Sequence, residues 1–327
     1  MGCPRYAARP ATPERRVTLQ EPPKQKKAAG LAGRFIGLIL LLAAFAVVVW
    51  TTATIQQIGA LERSDPFVHA PGEHLSVGNV IIHLRTFGNG SSTSVLVHDD
   101  TIAGGAPLAD LAENLSQTDR TVLVPDLVGF GFSSRPTEPG RLLSTSGQAD
   151  TVIAWLEDRQ SDAVELIGFG WGGELATEVA ILRPDLVTRL VLVDVPSVPM
   201  PVRDDAWLEA LPFGVGEAVA HTVEGASDRA QVRFPDTCPA WADCSDPEVI
   251  EQRRRAATVP GTARAIWARR STSPASVAGT RLDEIQVPVE LVAVEASREE
   301  IEEVAARFPA AQVTTASAAT LVEAVAS

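Results

Sequence analysis

The chain has 327 residues, 45% of them apolar, which is enough for one large domain with its own core. Its formal charge is −13, yet all its lysines lie within the first 34 residues, so the remainder is acidic and lysine-free. Such a surface offers little to neutralise phosphates, which argues against nucleic acid as a partner.

Residues 1–34 hold eight basic side chains against two acidic ones, among several prolines. They are expected to be disordered and cytoplasmic. No charged residue lies between Arg34 and Glu62, and Phe35 to about Ile55 is almost continuously apolar. About 20 such residues cross a bilayer's hydrocarbon core as a helix, so 35–55 reads as a single transmembrane span with lipid as its partner. A cleaved signal sequence is the rival reading; its basic region would be unusually long, and no Ala-x-Ala site follows. Arg15-Arg16 resembles a twin-arginine signal only weakly. The positive-inside rule puts the N-terminus in the cytoplasm and the body outside the plasma membrane. Residues 56–73 read as a tether.

From residue 74 strand and helix signals alternate, the pattern of a mostly parallel sheet with helices on both faces. Strands are expected at 79–87, 94–98, 121–125, 164–169, 190–194, 287–294 and 312–315. Helices are expected at 108–115, 146–158, 174–182, 298–307 and in a short stub to Ser327. Residues 199–284 carry no strand run and hold Trp207, Trp241 and Trp267 among prolines. This stretch is expected to be a helical cap inserted between the two parts of the core, 74–198 and 285–327.

Cys238 and Cys244 are close in sequence and form a disulfide candidate in an oxidising compartment. Free thiols remain an alternative. A metal site is not expected from two thiols with no histidine nearby, and no cofactor signal is present. Arg253-Arg254-Arg255 reads as a solvated helix face, or as a contact for anionic lipid headgroups or an acidic partner. Scarce lysine with abundant Ala, Val and Arg suggests a high-GC bacterium, and a single anchored body suggests its cell envelope.

The most informative stretch is Leu166-Ile-Gly-Phe-Gly-Trp-Gly-Gly173. An apolar strand enters a glycine-rich turn and a helix follows, the shape of a Gly-x-Ser-x-Gly nucleophile elbow. Gly170 stands where the nucleophile belongs. Three further segments accompany it: Val122-Leu-Val-Pro-Asp-Leu-Val-Gly-Phe-Gly-Phe-Ser-Ser-Arg-Pro136, Arg183-Pro184-Asp185 followed by Arg189-Leu-Val-Leu-Val-Asp194, and Val97-His98. In this order and spacing they resemble the α/β-hydrolase superfamily, in the branch of haloalkane dehalogenases, epoxide hydrolases and small esterases. The resemblance covers residues 74–327.

The resemblance implies four catalytic parts. The nucleophile position is Gly170, which has no side chain to attack with. The general base would be a late histidine, but the histidines are His69, His74, His83, His98 and His221, and Ala316–Leu321 stands where that loop belongs. The orienting acid would fall near Ser297, with Glu295, Glu299 and Glu300 close by, or at Asp194, the possible acid remnant. The oxyanion loop reads His98-Asp99-Asp100, and two carboxylates there would repel an oxyanion. His98, Asp99, Asp100 and Trp171 are expected around the former pocket.

Three functions compete. The first is a membrane-anchored pseudohydrolase that binds an apolar ligand or an envelope protein. The second is a divergent, serine-independent hydrolase of esters or other small apolar substrates, using Asp99, Asp100 or Asp126 as base. The third is a scaffold subunit whose pocket is plugged, with Trp171 as the plug.

Overall fold

The computed structural model describes residues 26–61, 70–137, 140–160, 162–195, 245–271, 278–294, 298–308, 311–317 and 319–326, with a few positions between 211 and 219. The chain divides into two units at Val49/Trp50. One helix, α1 (Lys26–Leu61), runs through that boundary. Its stretch Arg34–Gln57 is long and apolar enough to cross a membrane. The helix exceeds the span expected at 35–55 at both ends. Lys26–Arg34, expected to be disordered, continues the same helix. Helix also takes in the first residues of the expected tether. Residues 1–25 lie outside the described residues.

The body is built on an eight-stranded sheet in the order β1-β2-β4-β3-β5-β6-β7-β8. Its strands are β1 (Glu73–Val77), β2 (Val80–Phe87), β3 (Ser92–Val97), β4 (Arg120–Pro125), β5 (Val164–Phe169), β6 (Val187–Val193), β7 (Val289–Ala293) and β8 (Gln312–Thr315). The first two are antiparallel to their neighbours, and every pairing from β4 onward is parallel. β1 is absent from the sequence reading. It forms a tight hairpin with β2 through Gly78-Asn79, with Gly78 at φ 57°, and its alternating exposure hid it beside the stronger run that follows.

The central strands are buried on both faces, as crossover helices require. On one face lie α3 (Thr145–Asp158), α4 (Trp171–Leu182) and α7 (Arg298–Ala305), contributing Trp155, Leu156, Leu175, Val179 and Ile301 to the core. On the other lie α2 (Ala109–Ser116) and α8 (Leu321–Ala326), with Leu111, Leu115, Leu321 and Val325. Ser144 caps α3, its hydroxyl accepting from the Gly147 N–H at 3.2 Å. A ladder of ion pairs links the far ends of the strands. Arg120 and Arg189 both hold Glu165, Arg189 also holds Glu290, and Arg120 donates to the Ala326 carbonyl.

The expected cap is helical in its described part: α5 (Pro247–Ala256) and α6 (Thr262–Ser271). Arg135 ties it to the core, donating to Thr262 Oγ1 at 3.1 Å and to the Ala256 carbonyl at 3.3 Å. The arginine run does not form one solvated face. Arg254 and Arg255 pair with Glu251, whereas Arg253 turns inward, where burial lowers its pKa to about 10. Cys238 and Cys244 lie outside the described residues, as do Trp207 and Trp241.

Candidate functional site

The loops after β3, β5, β6 and β7 all emerge at the carboxyl ends of parallel strands, where open α/β sheets bind their ligands. Gly170 is the sharp turn between β5 and α4, at φ 50° and ψ −120°. Glycine takes this conformation without the strain that a side chain would bring. Gly172 closes the same turn: a side chain there would run into the carbonyls of Val97 and His98. The strand–turn–helix geometry of an elbow is therefore complete, without a nucleophile on it.

The space beside Gly170 is filled from the neighbouring strand. A Cβ on Gly170 would stand 2.5 Å from Cγ of Asp99. Oδ1 of Asp99 accepts the N–H of Trp171 at 2.8 Å and the N–H of Asp100 at 2.7 Å. One donor follows the elbow position and the other comes from the loop after β3. Those are the two places from which such a scaffold draws its oxyanion hole, and the distances match those of one. At the position where Asp99 and Asp100 are expected to repel an oxyanion, the Asp99 carboxylate itself takes both donors. Its charge also caps α4, whose own cap residue, Gly170, offers no side chain.

His98 is buried, and both ring nitrogens are engaged. Nε2 accepts the Leu127 N–H at 3.0 Å, which leaves Nδ1 as the donor to the Asp99 carbonyl at 2.6 Å. Burial lowers the pKa of this imidazole, against the pull of Asp126 and Asp99. It is a neutral strut that fixes the loop, not a base aimed at a substrate.

Asp126 is another of the candidate bases. It is fully buried, accepting from His83 Nδ1 at 2.7 Å, the Gly105 N–H at 2.7 Å and the Phe132 N–H at 2.9 Å. Burial opposes its charge, but Arg85 and His83 more than offset this and hold the carboxyl well below the usual carboxylate range. A carboxylate so held is a poor proton acceptor and serves as a loop anchor.

Asp100 pairs with Arg269 of α6. The Arg269 guanidinium sits 5.1 Å from the Phe130 ring centre, and Phe130 meets His98 edge-on at 5.2 Å and Trp171 at 5.7 Å. Trp171 Nε1 donates to Thr145 Oγ1 at 3.1 Å. The structure thus brings His98, Asp99, Asp100 and Trp171 together around Gly170. Sequence reasoning missed Arg269, Phe130 and Thr145; nothing marked Arg269 apart from its neighbour Arg270.

Asp194 stands at the end of β6 at φ 48°, its Oδ1 accepting the Val294 N–H at 2.7 Å. It joins two strand ends. The loop after β8 is turned by the Ser317 N–H donating to Thr320 Oγ1 at 2.9 Å, with Ala316 packed on the core. Ser297 and Glu295 lie outside the described residues. Among the described residues no cluster of three or more metal-ligating side chains occurs.

A family model described as alpha/beta hydrolase fold matches residues 101–286. The chain belongs to the alpha/beta hydrolase fold family. Over 172 residues it is 36% identical to (lyso)-N-acylphosphatidylethanolamine lipase of Bos taurus, covering 48% of this hydrolase-fold chain and 49% of the lipase. Over 121 residues it is 34% identical to a 1-acylglycerol-3-phosphate O-acyltransferase of Rattus norvegicus, covering 37% and 34% of the two chains. The match thus spans about half the length of the lipase and a third of the acyltransferase. Among solved structures, a haloalkane dehalogenase loop variant from Bradyrhizobium elkanii superposes with a TM-score of 0.58 at 17% identity, over 78% of this chain and 95% of that one. A thioesterase domain from the curacin biosynthetic pathway gives 0.56 at 18% identity, over 77% and 97%. These structural likenesses show the fold.

Proposed function

We propose that this chain is a membrane-anchored pseudohydrolase: a hydrolase-fold protein without catalytic turnover, whose former active-site face binds an apolar ligand or an envelope protein. One observation carries the reading. The Asp99 carboxylate stands where a nucleophile's side chain would start and takes both oxyanion-hole donors. The sequence adds a second loss, since no histidine follows His221. A substrate carbonyl would meet a filled hole, no nucleophile and no base.

The apolar helix Arg34–Gln57 supports an anchor, and the basic residues before it support a cytoplasmic N-terminus with the body outside the plasma membrane. The name of the bovine relative points to acylated phospholipids as the ligand class. The competing reading is a divergent hydrolase that needs no serine; its support is that relatives carry enzyme names. A product assay on the full chain in detergent micelles, with esters of short to long acyl chains, separates the two. No release above the micelle blank is expected. Turnover abolished by Asp99→Asn or Asp100→Asn would overturn the pseudohydrolase reading.

A further inference from the structure

His83 stands between two groups that can only accept. Its Nδ1 meets Oδ2 of Asp126 at 2.7 Å, and its Nε2 meets the carbonyl oxygen of Pro71 at 2.5 Å. Asp126 is an ionised carboxylate, held well below the usual carboxylate range. A neutral imidazole carries one N–H, so one of the two contacts would then set lone pair against lone pair. The imidazolium, with an N–H on each nitrogen, satisfies both.

The two ends of this bridge differ in rigidity. His83 is fully buried in β2; its backbone N–H donates to Ser133 Oγ at 2.9 Å, and its carbonyl accepts the Asp126 N–H at 2.8 Å. Pro71 lies just ahead of β1, the outermost strand on that side of the sheet, which pairs with β2. Glu73, His74 and Ser76 of β1 are exposed, so burial does little to hold the strand in place. Gly72 makes the approach possible: at φ 111°, a side chain there would run into the Leu84 carbonyl oxygen.

We propose that His83 is a proton-operated clasp: its imidazolium pins Pro71 at the start of β1, and loss of one proton frees that end of the sheet, where the chain leads back to α1. The neutral ring keeps Nδ1–H on Asp126 and gives up the carbonyl, because a hydrogen bond to a carboxylate is the stronger of the two. The groups around the ring pull in both directions. Asp126 favours the imidazolium. Arg85 of the same strand, 3.4 Å from Oδ1 of Asp126, and His74 of β1, with ring centres 5.1 Å apart, oppose it. Phe132 meets the ring edge-on at 5.3 Å, and the neutral His98 lies beyond Asp126. One carboxylate thus serves two cations, which keeps the proton exchangeable. The clasp is closed in mildly acidic solution and opens as pH rises. His98 and His74 weaken the fold as pH falls, so the two effects separate by sign.

Hydrogen exchange of the full chain in detergent micelles at pH 6 and pH 8.5 tests this, read by mass spectrometry and corrected for the intrinsic pH dependence of amide exchange. Peptides from 70–77 report the clasp, and peptides from β4 serve as internal reference. Protection of 70–77 relative to β4 is expected to fall about tenfold or more on the alkaline side, the scale of one charge-assisted hydrogen bond. His83→Gln removes the titrating ring, and Gly72→Ala keeps it but displaces Pro71; each is expected to show low protection at both pH values, with thermal melts checking that they fold. Equal protection of native 70–77 at the two pH values would overturn the proposal, as would the native response persisting in a folded His83→Gln. Should that variant fail to fold, the native response kept by a folded Gly72→Ala would overturn it instead.

Discussion

Oδ1 of Asp99 accepts the N–H of Trp171 at 2.8 Å, joining the loop after β3 to the first turn of α4 across the empty elbow. The same contact fills an anion site and caps a helix. The glycine at the elbow and this carboxylate are therefore linked: with any side chain on Gly170, Asp99 could not stand where it does.

That linkage sets the first expectation. Gly170→Ser places a Cβ against the Asp99 carboxylate at φ 50° and is expected to destabilise the fold by about 1–3 kcal/mol. Adding Asp99→Gly removes the clash but not the backbone strain, so the two changes couple by about 1 kcal/mol or more. Urea unfolding of the native chain, both single variants and the double variant measures this. Additive effects would show that the two positions do not compete for space.

Asp99→Ala removes the cap of α4 and is expected to cost about 1–2 kcal/mol. Asp99→Asn keeps an acceptor oxygen and is expected to cost less. Thermal unfolding ranks the two, and the reverse order would contradict a capping role.

His98 gives the fold a pH dependence. Burial depresses its folded pKa, so near pH 6.5 the unfolded chain takes up a proton that the folded chain refuses. Its contribution is whole above that pH and is lost as pH falls below it. His74 acts in the same direction, lowered by burial and by His83. Urea midpoints should decline from pH 7 to 5.5, with a shallower slope in His98→Gln. An unchanged slope would place the proton uptake elsewhere.

Arg269 holds α6 over the elbow through Asp100 and Phe130. Both charged partners are largely buried, at 13% and 22% side-chain exposure, so the pair lies between surface and interior cases. Arg269→Ala is expected to cost about 1–3 kcal/mol and to raise protease cleavage within 245–271. Arg269→Lys restores the charge but not the flat face on Phe130, and should recover only part. Native resistance in Arg269→Ala would remove the latch from the account.

The sheet was legible because β3 to β7 are apolar runs between turn residues, and the elbow because its glycines sit at fixed offsets from β5. The β1 hairpin was hidden by a turn of only two residues. The state of the site was legible as an absence, Gly170 without a nucleophile. Its filling was not, since whether Asp99 points away from the elbow or into it depends on the loop path after Val97, fixed by His98 reaching Leu127. Arg269 comes from a helix far along the chain, and no local pattern joins it to Asp100.

The most direct test of the filled oxyanion hole is amide hydrogen exchange resolved at Asp100 and Trp171. Slow exchange at both is expected in the native chain, with marked acceleration in Asp99→Gly while the inner turns of α4 stay protected. Equally fast exchange at the two amides in the native chain and in the variant would mean that Asp99 does not occupy the hole.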